Sequence, residues 1–392
     1  MDSIELFSGT GGLALGLQLS GFNHKALLEW DHDSCENVKA NIDEGYALVR
    51  DWSVFETDVR KVKYNDFGQN IKLIAGGPPC QPFSLGGKHQ AYNDKRDMFP
   101  EAVRAVRELR PLVFVFENVK GLLRNSFSDY FNYIIMQLTY PDIVKQDNMD
   151  WVDHMKVLAG RNSIKSKEGL SYNVVFRLLN AADYGVPQVR QRVFIVGFRN
   201  DLETRWSVPE PTHSLDLLRY AQFVSGSYWE EHGISAMKRS TVTLTDKESI
   251  RRRVELNVTG ERWRTVRDAL QGLPDPRAEE SSTFGVYNHE FRAGARTYVG
   301  HSGSIMDAPS KTIKAGAHGV PGGENMLVQD NGDLRYYTVR ESARIQTFPD
   351  EYRFHGSWTE SMRQIGNAVP VRLAKIVGDS IKKQLERIDS NL

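Results

Sequence analysis

The segment 76–84, GGPPCQPFS, places a cysteine directly after two prolines and shortly before a third. Proline restricts the backbone and has no amide hydrogen, so it is disfavoured inside helices and strands. A cysteine fixed in such a loop does not fit the usual picture of a small buried hydrophobic residue. Because the thiolate is a strong nucleophile, we predict that Cys80 performs nucleophilic chemistry.

Two further segments carry side chains that suit a reacting thiol. Glu117 lies near the end of the apolar run 112–119, LVFVFENV. If burial keeps it protonated, it could donate to a substrate nitrogen; the alternative is a strand-end acid that pairs with a lysine. Arg190 and Arg192, in PQVRQRVFIVG, are two residues apart and would share one face of a strand. Such a pair suits a carboxylate, a phosphate or a polarised carbonyl, and the alternative is a solvated edge.

A glycine-rich turn near the amino terminus predicts a nucleotide-type loop. The sequence SGTGGLA follows the predicted strand IELF, and Gly9, Gly11 and Ala14 fit GxGxxA. Glu29 lies 20 residues after Gly9, where an acid can bind ribose hydroxyls. Trp30 could stack on an adenine or belong to the core. This loop alone does not separate NAD, FAD and S-adenosylmethionine sites.

Alternating apolar runs and helical patterns predict a parallel α/β sheet in the first half of the chain. The predicted strands span 4–7, 24–30, 71–77, 112–119 and 191–199, and the predicted helices span 13–21, 98–111, 338–352 and 365–385. Parallel sheets bind ligands at the carboxyl ends of their strands. We therefore expect Cys80, Glu117 and the glycine loop to converge on one crevice.

Composition excludes several classes of protein. The chain has 50 basic and 50 acidic residues among 392, so its global charge does not indicate a nucleic-acid partner. Two cysteines exclude a disulfide scaffold, and the spacing of the ten histidines predicts no metal site. Neither a signal peptide nor an apolar run near ~20 residues is present, which predicts a cytoplasmic protein with no membrane partner.

The motifs, taken in chain order, resemble those of the DNA (cytosine-5)-methyltransferases. FSGTGG, EWD, GGPPCQPFS, ENV, QVRQR, RESARIQTFPD and GNAVPV occur in the family's order, and the resemblance covers 4–199 and 336–385. It implies an S-adenosylmethionine-dependent methyltransferase with a Rossmann-like, doubly wound α/β sheet. That catalytic domain would comprise 1–199 plus 336–392, and 200–335 would form a smaller target-recognition domain, with double-stranded DNA in the cleft between the two.

The resemblance also implies a mechanism. Cys80 matches the cysteine that attacks C6 of a cytosine flipped out of the duplex, which costs a few kcal/mol. Glu117 matches the glutamate that binds N3 and the exocyclic amine. Arg192 matches the arginine that reaches O2, and Arg190 matches its supporting neighbour. C5 then takes the methyl group of S-adenosylmethionine, and loss of the C5 proton with expulsion of the cysteine gives 5-methylcytosine.

Contacts with cofactor and DNA are implied in the same way. The cofactor residues would be Phe7, Ser8, Gly9, Gly11, Gly12, Glu29, Trp30, Asp58, Pro79, Asn367 and Ala368. The DNA-binding residues would be Gln81, Ser84, Arg252, Thr312 and Ile313. Segment 237–267 carries nine basic against four acidic residues, which suits phosphates and guanine edges; a solvated helix face is the alternative.

The family context implies the modification enzyme of a type II restriction-modification system in the bacterial cytosol. Such an enzyme acts as a monomer, and its cognate restriction endonuclease is encoded nearby but not bound. The recognised DNA sequence is not readable, and segment 140–172 has no assigned role.

Three alternatives remain. A tRNA cytosine-5 methyltransferase would carry a Cys-Phe-Thr element after the catalytic region, whereas the second cysteine here, Cys35, comes too early. An NAD-dependent oxidoreductase would leave Cys80 and QVRQR without a role. A DNA-binding protein that had lost activity would not need Cys80, Glu117 and Arg192 together.

Overall fold

The computed structural model describes residues 1–68, 70–79, 97–163, 169–255, 259–278, 285–297, 302–315 and 325–390. The chain forms two compact units. The first comprises Met1–Leu179, Gln191–Pro209 and Ala374–Leu392, and the second comprises Asn180–Arg190 and Glu210–Leu373. The domains implied by the resemblance, 1–199 plus 336–392 and 200–335, are defined by function rather than by compactness. That division therefore stays a prediction.

A seven-stranded sheet with the order β3-β2-β1-β4-β5-β7-β6 forms the centre of the first unit. Its strands are β1 (Asp2–Leu6), β2 (Asn23–Glu29), β3 (Val54–Glu56), β4 (Leu73–Gly76), β5 (Val113–Val119), β6 (Tyr172–Asn180) and β7 (Gln191–Arg199). β1 to β5 pair in parallel, and β7 pairs antiparallel with β5. The predicted α/β class is confirmed. The expectation of an all-parallel sheet was wrong at β7, because a continuous apolar run looks the same in either direction.

Helices connect these strands. They are α1 (Gly12–Leu19), α2 (His32–Asp43), α3 (Phe99–Leu109), α4 (Ser128–Thr139), α5 (Trp151–Ser163) and α12 (Val371–Asp389). The predicted helix 365–385 is two helices, because Pro370 disfavours helical backbone at the residue before it and α12 starts directly after it. None of the helices in the described ranges combines the length and apolar composition that a membrane crossing requires.

The core of the first unit lies on the central strands. Ile4, Leu6, Ile74 and Phe114 are fully buried there. The predicted apolar positions of α3, Val103, Val106 and Leu109, are at most 5% exposed and pack into the same cluster. This core fixes the strand ends, where the polar residues of the candidate site lie.

The second unit consists of short elements. Its helices are α6 (Leu215–Phe223), α7 (Ser227–Glu231), α8 (Leu244–Glu255), α9 (Val266–Leu270), α10 (Val339–Ile345) and α11 (Trp358–Asn367). Its strands are β8 (His213–Ser214), β9 (Glu261–Arg262), β10 (Ser304–Ile305), β11 (Met326–Val328) and β12 (Leu334–Tyr336). A capping box of Thr338 and Glu341 starts α10, which ends well before the predicted limit of 352 because Thr347 takes a positive φ and Pro349 follows.

His24 is a buried neutral histidine that joins β1, β2 and α1. Its Nε2 lies 3.0 Å from the carbonyl oxygen of Ala14, and its Nδ1 lies 3.1 Å from Ser3 Oγ. The carbonyl can only accept, so Nε2 carries the hydrogen and Nδ1 accepts from the serine. Burial lowers the pKa of His24 from 6.5 to about 4.

We expect this histidine to destabilise the fold as the pH falls. The native pKa of His24 lies below its unfolded value, so its stabilisation is complete above pH 6.5 and is lost between pH 6.5 and about 4. Between pH 7 and 5 the loss should be about 2 kcal/mol in the free energy of unfolding. Urea titrations at pH 5, 6 and 7 on the wild type and on His24→Gln isolate the effect, because the variant should lack this part of the slope. Parallel pH profiles for the two proteins would contradict the assignment.

Candidate active site

The turn from β1 to α1 forms a loop with several left-handed backbone conformations. Phe7, Gly9 and Gly11 have φ values of 56°, 52° and 83°. Positive φ is easy for glycine but strained for phenylalanine, and such strain concentrates at functional sites. Gly11 caps α1 without a side-chain hydrogen bond, so the first amides of this helix have no side-chain cap at that position. A helix start of this kind can bind negatively charged or polar ligand groups.

Glu29 holds this loop in place. Its Oε2 accepts a hydrogen bond of 2.7 Å from the Gly9 amide, and its Oε1 accepts bonds of 2.9 Å from the amides of Trp30 and Asp31. Burial raises the pKa of Glu29, although these amide bonds favour the carboxylate. The acid predicted as a ribose ligand therefore also positions the loop, and its contact with ribose stays a prediction.

Glu5 is a buried acid that the sequence analysis missed. It lies in β1 and is 1% exposed. Burial raises the pKa of Glu5 well above its ordinary value, with a smaller contribution from the nearby Glu29. The Ala14 amide of α1 donates to its carboxyl group. The sequence did offer a signal for Glu5, because it is an acid inside the apolar strand IELF. Acidic side chains are rarely fully buried without a hydrogen-bonding or charged partner.

The remaining predicted cofactor residues of the first unit differ in accessibility. Trp30 is 73% exposed, the opposite of the core alternative. Ser8 and Gly12 are buried, whereas Phe7 is half-buried. Asp58 accepts from the amide of Arg60 and pairs with its guanidinium, Nε to Oδ1 at 2.9 Å. This partner lowers the pKa of Asp58, and a cofactor amino group would have to share the carboxylate with it.

Glu117 and Arg192 form a buried ion pair at the end of β5. Arg192 Nε lies 2.8 Å from Glu117 Oε1, and the side chains are 14% and 10% exposed. Glu117 faces Phe194 and Val119 faces Arg192 in the antiparallel register, so the pair is a diagonal contact between neighbouring strands. Burial lowers the pKa of Arg192, partly offset by Glu117. A carboxylate paired with a guanidinium is stabilised in its charged form.

The prolines before the cysteine lie beside this ion pair. Asn118 Nδ2 donates to the carbonyl oxygen of Pro78 at 2.9 Å. A Cβ atom at Gly77 would lie 3.5 Å from Glu117 Oε2, so the chain passes close to the carboxylate just before Pro78. Pro79 is exposed. The predicted residues Cys80, Gln81 and Ser84 lie outside the described residues.

Arg190 has a different environment from Arg192. It is fully buried and donates to three backbone carbonyls of the second unit, those of Ile313 (2.9 Å), Gly366 (2.7 Å) and Ala368 (3.0 Å). Arg190 directly precedes β7, and these carbonyls hold its two terminal nitrogens. The two arginines therefore lie in different environments, and their joint role toward one ligand stays a prediction.

The other predicted residues of the second unit gather around Arg190. Thr312 Oγ1 donates to the carbonyl of Val189 at 2.7 Å, and the Ile313 amide donates to Gln188 Oε1 at 2.9 Å. Ile313 is fully buried, which favours a supporting role over direct contact with DNA. Asn367 ends α11 and is exposed, and Ala368 follows it as the C-cap. A Cβ at Gly366 would collide with the backbone of Ala315, so this glycine allows the close packing.

Six of the nine basic residues of segment 237–267 form ion pairs, three of them with acids outside the segment. Arg252 is exposed and lies 3.3 Å from Glu248 on its own helix. Further ion pairs join Arg253 to Asp216, Arg262 to Asp268 and Glu231, and Arg267 to Asp307 and Asp330. The count of nine basic against four acidic residues considered only segment 237–267, so it missed the acidic partners outside that segment. The predicted contact of Arg252 with DNA stays a prediction.

Two groups of side chains have the geometry of a metal site within the described residues. One comprises His32, Glu36 and Glu56, and the other Glu231, His232 and Asp268. Lys39 pairs with both glutamates of the first group, and Arg262 pairs with both carboxylates of the second. In each group one protein cation already neutralises part of the charge of the two carboxylates.

Comparisons with known proteins match nearly the whole chain. The model of the family described as C-5 cytosine-specific DNA methylase matches residues 1–140 and 151–383. The Type II methyltransferase M.NgoMIV of Neisseria gonorrhoeae is 31% identical over 395 residues, covering 98% of each chain. The Type II methyltransferase M.NgoPII of the same organism is 30% identical over 410 residues, covering 99% of this chain and 97% of its own. The crystal structure of the S. pombe Dnmt2 methyltransferase has the same fold, with a TM-score of 0.55 at 18% identity over 99% of each chain.

We expect Arg190→Lys to destabilise the protein strongly. One ammonium group cannot reproduce the geometry with which the guanidinium reaches three carbonyls, and each buried carbonyl left without a donor costs about 1–3 kcal/mol. The free energy of unfolding should fall by about 2–4 kcal/mol in denaturant titrations. Arg252→Lys is the exposed control and should stay within about 0.5 kcal/mol of the wild type. Equal stabilities of the two variants would show that the three carbonyl bonds contribute little.

Proposed function

Since the chain belongs to the family of C-5 cytosine-specific DNA methylases and is a DNA cytosine-5 methyltransferase, we propose that it methylates one cytosine in a specific short duplex sequence, with S-adenosylmethionine as donor. The observation that carries this proposal is the buried Glu117–Arg192 pair beside the prolines that precede Cys80. A carboxyl group and a guanidinium at one strand end can together recognise a base edge that offers both a donor and an acceptor.

The loop around Gly9 and Gly11 fits the proposed cofactor. A Cβ at Gly9 would meet no atom within 4 Å, which leaves room for a ligand beside the start of α1. Trp30 presents an exposed ring directly after Glu29, where an adenine could stack. We infer that Phe7, Ser8, Gly12, Asp58, Pro79, Asn367 and Ala368 complete the site. The bound cofactor supplies an electrophilic methyl group.

In the proposed mechanism the Cys80 thiolate forms a covalent bond to C6 of an extruded cytosine. The electron pair of the 5,6 double bond moves to C5, which becomes nucleophilic and accepts the methyl group. Removal of the C5 proton returns the electron pair to the ring, restores the double bond and expels the thiolate. Cys80 is therefore regenerated at the end of each turnover.

Glu117 must change partner for this reaction. To donate a hydrogen bond to N3 it has to carry a proton, whereas its present partner Arg192 favours the carboxylate. We infer that the entering base separates the pair: Arg192 turns to the base O2, and Glu117 takes up a proton and binds N3 and the exocyclic amine. Arg190, fixed on backbone carbonyls, supports the strand from which Arg192 projects.

The biological setting follows from the relatives, which are named type II methyltransferases. We propose that this enzyme acts as a monomer on double-stranded DNA and modifies the site of a type II restriction-modification system. Its cognate endonuclease would be encoded nearby and not bound. Gln81, Ser84, Arg252 and Thr312 are the proposed contacts with DNA, and Ile313 supports Thr312 from the core.

We expect Cys80→Ala to abolish methyl transfer and to leave DNA binding intact, because it removes the nucleophile and little surface. Labelled methyl transfer from S-adenosylmethionine into unmethylated genomic DNA, followed by bisulfite sequencing, measures activity and reveals the recognised sequence. Cys35→Ala is the control, since its thiol is buried in α2 and should not be needed for the reaction. Transfer at the wild-type rate by Cys80→Ala would remove the nucleophile assignment. Wild-type label in tRNA but not in DNA would instead indicate the tRNA enzyme.

We expect Trp30→Ala to weaken binding of S-adenosylmethionine by about 5- to 100-fold, the range expected for loss of one base–aromatic stack. DNA affinity should not change, and Trp30→Phe should retain most of the cofactor affinity. Titration calorimetry with the cofactor and gel shifts with DNA separate the two effects. An unchanged cofactor affinity in Trp30→Ala would exclude stacking.

A further inference from the structure

We propose that Tyr130 is a positioning residue for the reaction. Through its hydrogen bond to Asp97 it fixes the backbone at the two ends of the segment that carries Cys80, and helix α5 packs against Tyr130. This inference rests on the proposed role of Cys80. It also gives a role to segment 140–172, which contains α5 and for which the sequence offered none.

The two ends of the cysteine-bearing segment are tied together. The Met98 amide donates to the carbonyl oxygen of Pro79 at 3.2 Å. On the other side, Asn118 Nδ2 holds the carbonyl of Pro78 at 2.9 Å, next to the Glu117–Arg192 pair. We call Pro78, Pro79, Asp97 and Met98 the neck. A displacement of either end of the neck is thus transmitted to the other, and to the residue before Cys80.

Asp97 is the residue of the neck with the strongest side-chain bonds. One carboxylate oxygen accepts from the Phe99 amide at 3.1 Å, at the start of α3. The other accepts from the hydroxyl of Tyr130, a side chain of α4 that is 7% exposed. A hydrogen bond from a hydroxyl to a carboxylate is among the stronger hydrogen bonds in proteins. Tyr130 therefore connects the neck to the core rather than to the surface.

Helix α5 packs behind Tyr130. The ring of Trp151 meets the Tyr130 ring edge-on, at 5.7 Å and 84°, and lies 5.7 Å from the ring of Tyr133. The Tyr133 hydroxyl bonds to Nδ1 of His154 at 2.9 Å, and His154 Nε2 lies 3.1 Å from the carbonyl of Ile143. Burial lowers the pKa of His154, so its neutral ring donates to that carbonyl and accepts from the tyrosine. This row of aromatic rings limits the movement of Tyr130.

Attack on C6 depends steeply on position. Reacting atoms must approach within about 3–3.5 Å, and a misplacement of about 1 Å by a remote change can cost about 100-fold in rate. Tyr130 touches neither cofactor nor base in the proposed mechanism, yet it bonds to a residue tied to the chain directly before Cys80. Loss of its hydroxyl should therefore slow the methyl-transfer step more than it affects binding or stability.

Tyr130→Phe tests this, with Tyr133→Phe as a matched control. Both changes remove one buried hydroxyl from the same helix and keep the contact with Trp151, but Tyr133 does not bond to the neck. We expect the single-turnover rate of methyl transfer, at saturating cofactor and DNA, to fall about 10- to 100-fold in Tyr130→Phe and less than about twofold in Tyr133→Phe. The melting temperatures and cofactor affinities of the two variants should be similar.

Asp97→Asn provides a second test, because it changes the other partner of the same hydrogen bond. It should also slow transfer, and the double variant Asp97→Asn/Tyr130→Phe should be no slower than the slower single variant, because both changes break the same bond. Independent, multiplicative losses, or equal rates in Tyr130→Phe and Tyr133→Phe, would overturn the positioning role while the proposed function stands. A wild-type protein that transfers no methyl group to DNA would instead remove the proposed function, and this inference with it.

Discussion

The ion pair between Glu117 and Arg192 is the interaction around which the candidate site is arranged. A buried carboxylate and a buried guanidinium are each costly alone, so each requires the other. Their pairing depends on β7 running antiparallel to β5, since only that register places Arg192 diagonally across from Glu117. The same strand end also supplies Asn118, which holds Pro78 and so directs the chain toward Cys80.

Two other buried charged side chains, Glu29 and Arg190, also need hydrogen-bond partners, and they find them in the backbone. Glu29 accepts from one amide of the β1–α1 loop and from the two amides that follow β2, and Arg190 donates to three carbonyls from two separate segments. Both side chains are held by backbone groups of the protein itself. In the proposed reaction, Glu117 and Arg192 are the residues that exchange partners when the base enters.

Sequence reasoning predicted the strands that carry the site because long apolar runs and glycine turns are local signals. The apolar positions of α3 and the chain order of the motifs were also readable. The direction of β7 was not, since a strand buried on both faces carries no directional pattern. The partners of Arg262 and Arg267 were equally unreadable, because Asp307 and Asp330 are distant in sequence. Glu5 was readable in principle, as an acid in an apolar strand, but its burial depends on how α1 folds back over β1.

The three carbonyl bonds of Arg190 have a consequence for how this protein can diversify. Carbonyl oxygens are present whatever side chain a residue carries, so this anchor constrains where the backbone runs at residues 313 and 366–368 but not which side chains lie there, apart from the required Gly366. Gln188 and Val189 bind residues 312 and 313 through one further amide and one hydroxyl. The exposed side chains of residues 215–310 can therefore change while this attachment is preserved, provided that buried contacts such as those of Asn288 and His289 are kept. A segment from a relative could replace residues 215–310 if the bonds of Arg190 are left intact. The hybrid would keep the same backbone framework and present a different surface to a binding partner.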